Sequence, residues 1–180
     1  KLVVRKLVAR SWDSSTKLIL APHNIDVDHI NSILTLFNSS SDKSRAILHS
    51  PWVFSSNDNE TIVPSILIID SIGLLSSLYS LADLAVIGGG FGDGIHNILQ
   101  PASHGVPIIS GPNIGRFREA VALQNNESLV ISYDQALLSQ TLKSTLDTSN
   151  KIKLSQSGQV AKDWVSSQSG SAEKIAQLLP

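Results

Sequence analysis

Residues 84–111 read LAVIGGGFGDGIHNILQPASHGVPIISG, and their order is that of one supersecondary unit. Residues 84–87 are short and apolar, a β-strand. Residues 88–94 form a loop with five glycines. Asn97 is placed to cap a helix running toward His104, Gly105 to stop it, and residues 106–110 make the next strand. Strand, glycine loop, helix, strand is how an α/β protein builds an anion site. The loop amides and the helix N-terminus point at one place, and both favour negative charge.

The chain on either side alternates in the same way. Residues 2–9 (LVVRKLVA) have strand composition, and residues 17–21 (KLILA) predict a buried strand. Parallel neighbours need a crossover of about a dozen residues. Only a handful separate these two runs, so a hairpin or a stretch missing near residues 12–17 is expected, the latter preferred. Residues 26–37 place Val27, Ile30, Ile33, Leu34 and Phe37 at helical spacing. Strands are predicted at 45–49 and 65–69, a polar loop at 55–61, and an amphipathic helix at 74–82 carrying Leu74, Leu75, Leu78 and Leu81. After the turn Gly111-Pro112-Asn113 follow a helix at 116–123, a strand at 128–132 and a helix at 134–146 capped by Asp134. Further helices are expected at 155–165 and 172–179. Short strands alternating with helices predict an α/β fold, a Rossmann-like parallel sheet with helices on both faces, in a single domain over residues 1–180. Ligands of such sheets bind beyond the carboxyl ends of the strands, where the loops after Ala21, Ile69 and Ile87 lie.

Composition narrows the function classes. The chain has 180 residues, 42% of them apolar, a formal charge of −1 and no cysteine. Neither a basic surface for nucleic acid nor a polybasic run for anionic lipid is present. Disulfides and thiolate metal sites are excluded. No apolar run approaches the ~20 residues of a membrane-spanning helix, and no signal peptide is visible. The sequence starts at Lys1 and contains no methionine, as expected of a fragment or a processed chain.

The glycine loop matches neither the dinucleotide fingerprint nor the P-loop: no G-x-G-x-x-G placement fits, and no Gly-Lys-Ser/Thr follows. A tight turn needs one or two glycines; five suggest a backbone that a ligand approaches closely. His96 either bonds a nearby carbonyl or donates to a phosphate or sugar oxygen. Asn97 is a cap or a ligand contact, and Gln100, a helical turn on, is a solvated residue or a contact for ligand hydroxyls. Pro101 is structural. Asp70-Ser71-Ile72-Gly73, between strand and helix, is a second anion-friendly corner, either ligand contact or plain capping. Pro22-His23 closes a strand in similar fashion. Phe117 is expected in the core, and Glu119 at the surface or anchoring its turn. His29, His49 and His104 lack metal-ligand spacing. No carboxylate pair suggests glycosidase chemistry, and no G-x-S-x-G elbow appears.

At these residues the sequence resembles the C-terminal half of the 3-deoxy-D-manno-octulosonic acid (Kdo) transferases. Their pattern has an Asp-Ser/Thr-x-Gly turn, here Asp70 to Gly73, then a helix with Tyr79 and Ala82-Asp83. A glycine loop follows, here residues 88–94, leading to His96-Asn97. Then come Gly111-Pro112-Asn113 and Phe117-x-Glu119. Ser11-Trp12 and Ala21-Pro22-His23 are also similar to family landmarks. The likeness runs from about residue 1 to 123 and is specific over 66–113. Two positions depart from the pattern: Gln100 stands where the family usually has Glu, and Leu74 where many members have Glu.

The resemblance implies a GT-B glycosyltransferase whose C-terminal domain binds the nucleotide sugar. The donor would be CMP-Kdo and the acceptor a lipid A precursor of lipopolysaccharide biosynthesis, at the cytoplasmic face of the bacterial inner membrane. The family is metal-independent, without a cofactor, and inverting. Its catalytic carboxylate lies in an N-terminal acceptor domain that this chain does not include, so no catalytic residue is expected here. The chain would bind donor, pair with that domain and be inactive alone. Gly89, Gly90, Phe91, Gly92, Gly94, Ile95, His96, Asn97 and Gln100 are the expected donor contacts, with Ser71, Ile72 and Gly73 as the opposite wall and Pro22 and His23 nearby. Alternatives are another GT-B transferase or epimerase using a UDP-sugar, and a non-catalytic domain that no longer binds nucleotide. An apolar patch around Trp164 and Val165 is expected if the last helices reach toward the absent domain.

Overall fold

The structure, a computed structural model, describes residues 16–39, 46–51, 64–170 and 175–177. The expected strand at 2–9, the Ser11-Trp12 landmark, most of the join near 12–17, the loop at 55–61 and most of the helix at 172–179 lie outside the described residues. The chain divides into two compact units, Lys1–Leu75 and Ser76–Pro180.

The first unit contains β1 (Leu18–Leu20), α1 (Val27–Asn38), β2 (Ala46–Leu48) and β3 (Ile66–Ile68), with the strands parallel in the order β1-β3-β2. Helix α1 starts where Asp26, in extended conformation, accepts the His29 amide at 2.8 Å, one of the donors a helix start leaves unpaired. Ile30, Ile33 and Phe37, three to four residues apart, then form one buried stripe. They pack with Ala46, Ile66 and Ile68. Strand β1 is less buried than its composition predicts. Leu18 and Leu20 pack on the core, but Ile19 turns to the other face and is 39% exposed.

The second unit contains α2 (Leu75–Leu78, beginning at the last residue of the first unit), β4 (Ala85–Ile87), α3 (Leu99–Ser103), β5 (Ile108–Ser110), α4 (Arg118–Asn125), β6 (Leu129–Ile131), α5 (Leu138–Thr145) and α6 (Lys151–Ser167). Its strands are parallel in the order β4-β5-β6, and β5, flanked on both sides, is wholly buried. Its core joins Ala85, Ile87, Ile95, Ile98, Ala102, Val106, Ile108, Ala120, Leu123 and Ala161. The α/β class and parallel pairing follow the sequence expectation. The observed strands fall into two three-stranded sheets.

One expectation is corrected, and one left open by the sequence is decided. The amphipathic helix at 74–82 is one short turn that tightens into a 3-10 segment, Tyr79–Leu81. The change of period takes the leucines off a common face: Leu81 is 73% exposed, and Tyr79 and Ala82 pack on the core instead. Trp164 and Val165, half-buried, pack against the core of this unit. Helix α6 comes close enough to do this because Gly158 has no side chain where it meets Gly105.

Candidate functional site

The glycine loop leaves β4 and folds back on itself. Gly92 and Gly94 both donate to the Gly89 carbonyl, at 2.8 and 3.2 Å, and His96 donates to that of Gly88 at 3.2 Å. Gly89 and Gly94 have φ values of +86° and +133°, which side chains rarely tolerate. The loop is also fastened to the turn after β5. The Asn113 amide donates to the Gly90 carbonyl at 2.9 Å, its side-chain Nδ2 to that of Gly92 at 2.5 Å, and the Arg116 guanidinium to that of Asp93.

This gives the glycines a purpose other than the one their number suggests. A β-carbon on Gly90 would stand 2.8 Å from the Gly111 nitrogen and from the Ser110 hydroxyl. One on Gly111 would stand 2.4 Å from the Gly90 carbonyl carbon, and one on Gly94 would meet Phe117 at 2.8 Å. The glycines let two loops touch.

The contact has a directional consequence. No peptide bond is cis, so each N–H points opposite to the carbonyl of its own peptide. Holding the carbonyls of Gly90 and Gly92 on Asn113 turns the amides of Phe91 and Asp93 the other way. Neither amide donates to any described residue. Two such unpaired donors on one loop are groups an anion can take.

The helix that follows keeps two of its first amides for itself. Asn97 Oδ1 accepts from the amides of Leu99, at 2.9 Å, and Gln100, at 3.3 Å. Asn97 is therefore the cap, and it takes two of the amides expected to face a ligand. Helix α3 has only five residues. His96 is exposed beside Gly88, and Gln100 lies half-buried in the first turn of α3. Ile95 is a core side chain, 5% exposed, so only its backbone faces the loop. Phe91 is half-buried, and Phe117 packs on the core as expected.

Pro22, His23, Ser71, Ile72 and Gly73 belong to the first unit. They share the carboxyl edge of its sheet, since β1 and β3 are paired and Leu20 stands opposite Ile68. Ile72 is 87% exposed, and Gly73 has a φ of +97°. Asp70 does not reach Ser71; it accepts from Ser50 beyond β2, from the amide at 3.0 Å and from the hydroxyl. Burial works to raise the Asp70 pKa, but the Ser50 hydrogen bonds outweigh it and hold the carboxyl below its ordinary value. The side-chain oxygen of Ser71 and Nδ1 of His49 are buried without a hydrogen-bond partner. Ser50 and His49 were not foreseen as part of this corner, since a pairing across strands has no signal in local sequence. Among the described residues no group of His, Asp and Glu could hold a metal ion, and no helix is long and apolar enough to cross a membrane.

No protein-family model matches the chain. Curated proteins do. A 3-deoxy-D-manno-octulosonic acid transferase of Rickettsia typhi is 37% identical over 102 residues, 56% of this chain and 22% of that protein. One of Rickettsia prowazekii is 29% identical over 161 residues, 83% of this chain and 35% of that protein. The chain is related to the 3-deoxy-D-manno-octulosonic acid transferases. It spans a fifth to a third of the length of these Kdo transferases. Its fold is that of the crystal structure of the C-terminal CMP-Kdo binding domain of WaaA from Acinetobacter baumannii, with a TM-score of 0.61, 15% identity, and 89% of this chain and 98% of that one covered. The fold is therefore the C-terminal half of a GT-B architecture.

Proposed function

We propose that this chain is the donor-binding domain of a Kdo transferase, holding CMP-Kdo while Kdo passes to a lipid A precursor. One observation supports the placement of the donor: the amides of Phe91 and Asp93 point away from Asn113, which holds the carbonyls of their peptides, and have no protein acceptor among the described residues. The CMP phosphate takes these donors. Its charge stays there as the sugar departs, and fixed dipoles stabilise it without reorganisation. His96 and Gln100, on the same segment, orient the donor through its oxygens. The first unit, by itself, offers a ligand the carboxyl edge of its sheet, with Pro22, His23, Gly73 and the unpartnered Ser71 hydroxyl, a group a ligand can satisfy. The acceptor and the catalytic carboxylate belong to an N-terminal domain of the longer protein, which acts at the cytoplasmic face of the inner membrane in lipopolysaccharide biosynthesis. No metal or cofactor takes part.

Calorimetric titration with CMP, with UMP as control and repeated on His96→Ala, tests this. CMP binding that exceeds UMP binding and weakens in the variant is the expected result. Tighter binding of UMP than of CMP favours a UDP-sugar enzyme. No binding by this chain or by Gln100→Glu removes the donor-site assignment from the isolated domain.

A further inference from the structure

We infer that Asn113 and Arg116 are positioning residues that set the glycine loop in its anion-accepting form before any ligand arrives, an inference that rests on the donor-site reading above. Three carbonyls of the loop are held by these two residues of the next loop: those of Gly90 and Gly92, whose peptides carry the Phe91 and Asp93 amides, by Asn113, and that of Asp93, whose peptide closes the turn through the Gly94 amide, by Arg116. The loop's own turn accounts for the bonds to Gly88 and Gly89 alone. Without the second loop, the peptides 90–91 and 92–93 have nothing to fix their orientation, and five glycines give them wide freedom. The outward amides of Phe91 and Asp93 would then be two states among many.

Arg116 is suited to this part. Its guanidinium lies 5.8 Å from the Phe117 ring centroid, and Phe117 is anchored on the core. A cation over an aromatic face is held in place without an ion pair. Its charge strengthens the bond to the Asp93 carbonyl. Because it sits on the carbonyl side of the loop, it acts through the loop and not on the anion. Asn113 contributes two donors, one from the backbone and one from the side chain, so only the Gly92 bond is lost when its side chain is removed. Both residues are exposed, so their truncation leaves the core untouched.

The test uses the full chain with Asn113→Ala, Arg116→Ala and Arg116→Lys, and reads two quantities. The first needs no ligand: backbone nitrogen relaxation of the amides between Gly90 and Gly94. In the unsubstituted chain these amides are as rigid as helix α4; in Asn113→Ala the Asp93 amide becomes mobile and in Arg116→Ala the Gly94 amide does, at unchanged melting temperature, and in Arg116→Lys all stay rigid. The second is the affinity ratio of CMP to cytidine. Loss of preorganisation lowers CMP affinity by ~5-fold in Asn113→Ala, which frees the Asp93 amide, and by less in Arg116→Ala, and it leaves cytidine unchanged, because only the phosphate meets the loop. Loop amides equally rigid in all variants overturn the inference, as does a parallel loss of CMP and cytidine binding. If the unsubstituted chain does not prefer CMP to cytidine, the phosphate assignment fails, and the relaxation data still decide whether the two residues hold the loop.

Discussion

A β-carbon on Gly158 would stand 2.0 Å from the carbonyl oxygen of Gly105. Helix α6 therefore rests on the end of α3 through bare backbone. Gly105, with a φ of +73°, is the residue that turns the chain out of α3 toward β5. The stop signal of one helix is the seat of another.

Gly158→Ala should lift α6 from this seat. A methyl group at that distance cannot be absorbed by rotating a side chain, since the obstacle is backbone. Overpacking of this kind costs ~1–3 kcal/mol, and more where nothing can relax. Urea unfolding of the variant should show a midpoint well below that of the unsubstituted chain, with Trp164 fluorescence shifted to the red as it loses its packing. An unchanged midpoint would mean that α6 contributes little to this unit.

Gly89→Ala should distort the glycine loop with little effect on the core. Its φ of +86° disfavours a side chain, and the added carbon would stand 2.1 Å from the Gly94 oxygen. The loop must open, which scatters the amides of Phe91 and Asp93. CMP affinity is expected to fall at least tenfold, about 1.4 kcal/mol, while the melting temperature moves far less than for Gly158→Ala. Calorimetry and thermal unfolding on the same sample separate the two effects.

Asn97→Ala should cost about 1 kcal/mol, the usual value of a lost helix cap. The amides of Leu99 and Gln100 lose their acceptor. Asn97→Asp keeps the acceptor oxygen and should retain the stability. A loss in Asn97→Asp as large as in Asn97→Ala, measured by chemical unfolding, would show that the side-chain amide matters for something other than capping.

Asp70 makes stability depend on pH in the acid range. Its folded pKa lies below that of the unfolded chain, ~3.9, so its contribution is full above that value and is lost as pH falls through the folded one. Ser50→Ala removes one of the two donors and should raise the Asp70 pKa, shrinking the acid-dependent part of the unfolding free energy. Carboxyl titration by NMR checks the direction. A lower pKa in the variant would contradict the assignment of Ser50 as the stabilising partner.

The pattern of elements was legible in local sequence wherever a periodic apolar stripe and a cap coincided. Ile30, Ile33 and Phe37 behind Asp26 mark α1 without ambiguity, and Gly105 marks the end of α3. Residues 74–82 misled because their leucine spacing fits a helix, while the backbone tightens to three residues per turn and sends Leu81 outward. The relation to the Kdo transferases was also carried by local motifs, from Asp70 to Asn113. Sequence could show that the loop is rich in glycine and that Asn97 can cap.

Tertiary structure decided what those features are for. The glycines are needed where the loop meets itself, Gly111 and Phe117, contacts that depend on chain far from the loop in sequence. Asn97 takes the amides of Leu99 and Gln100, while those of Phe91 and Asp93 have no acceptor among the described residues. Their direction is set by Asn113, twenty residues or more along the chain, whose bonds to Gly90 and Gly92 exist only once β4 and β5 lie side by side. Motif and spacing specify which groups are available; which way a peptide N–H points is fixed by what holds the carbonyl on its other side.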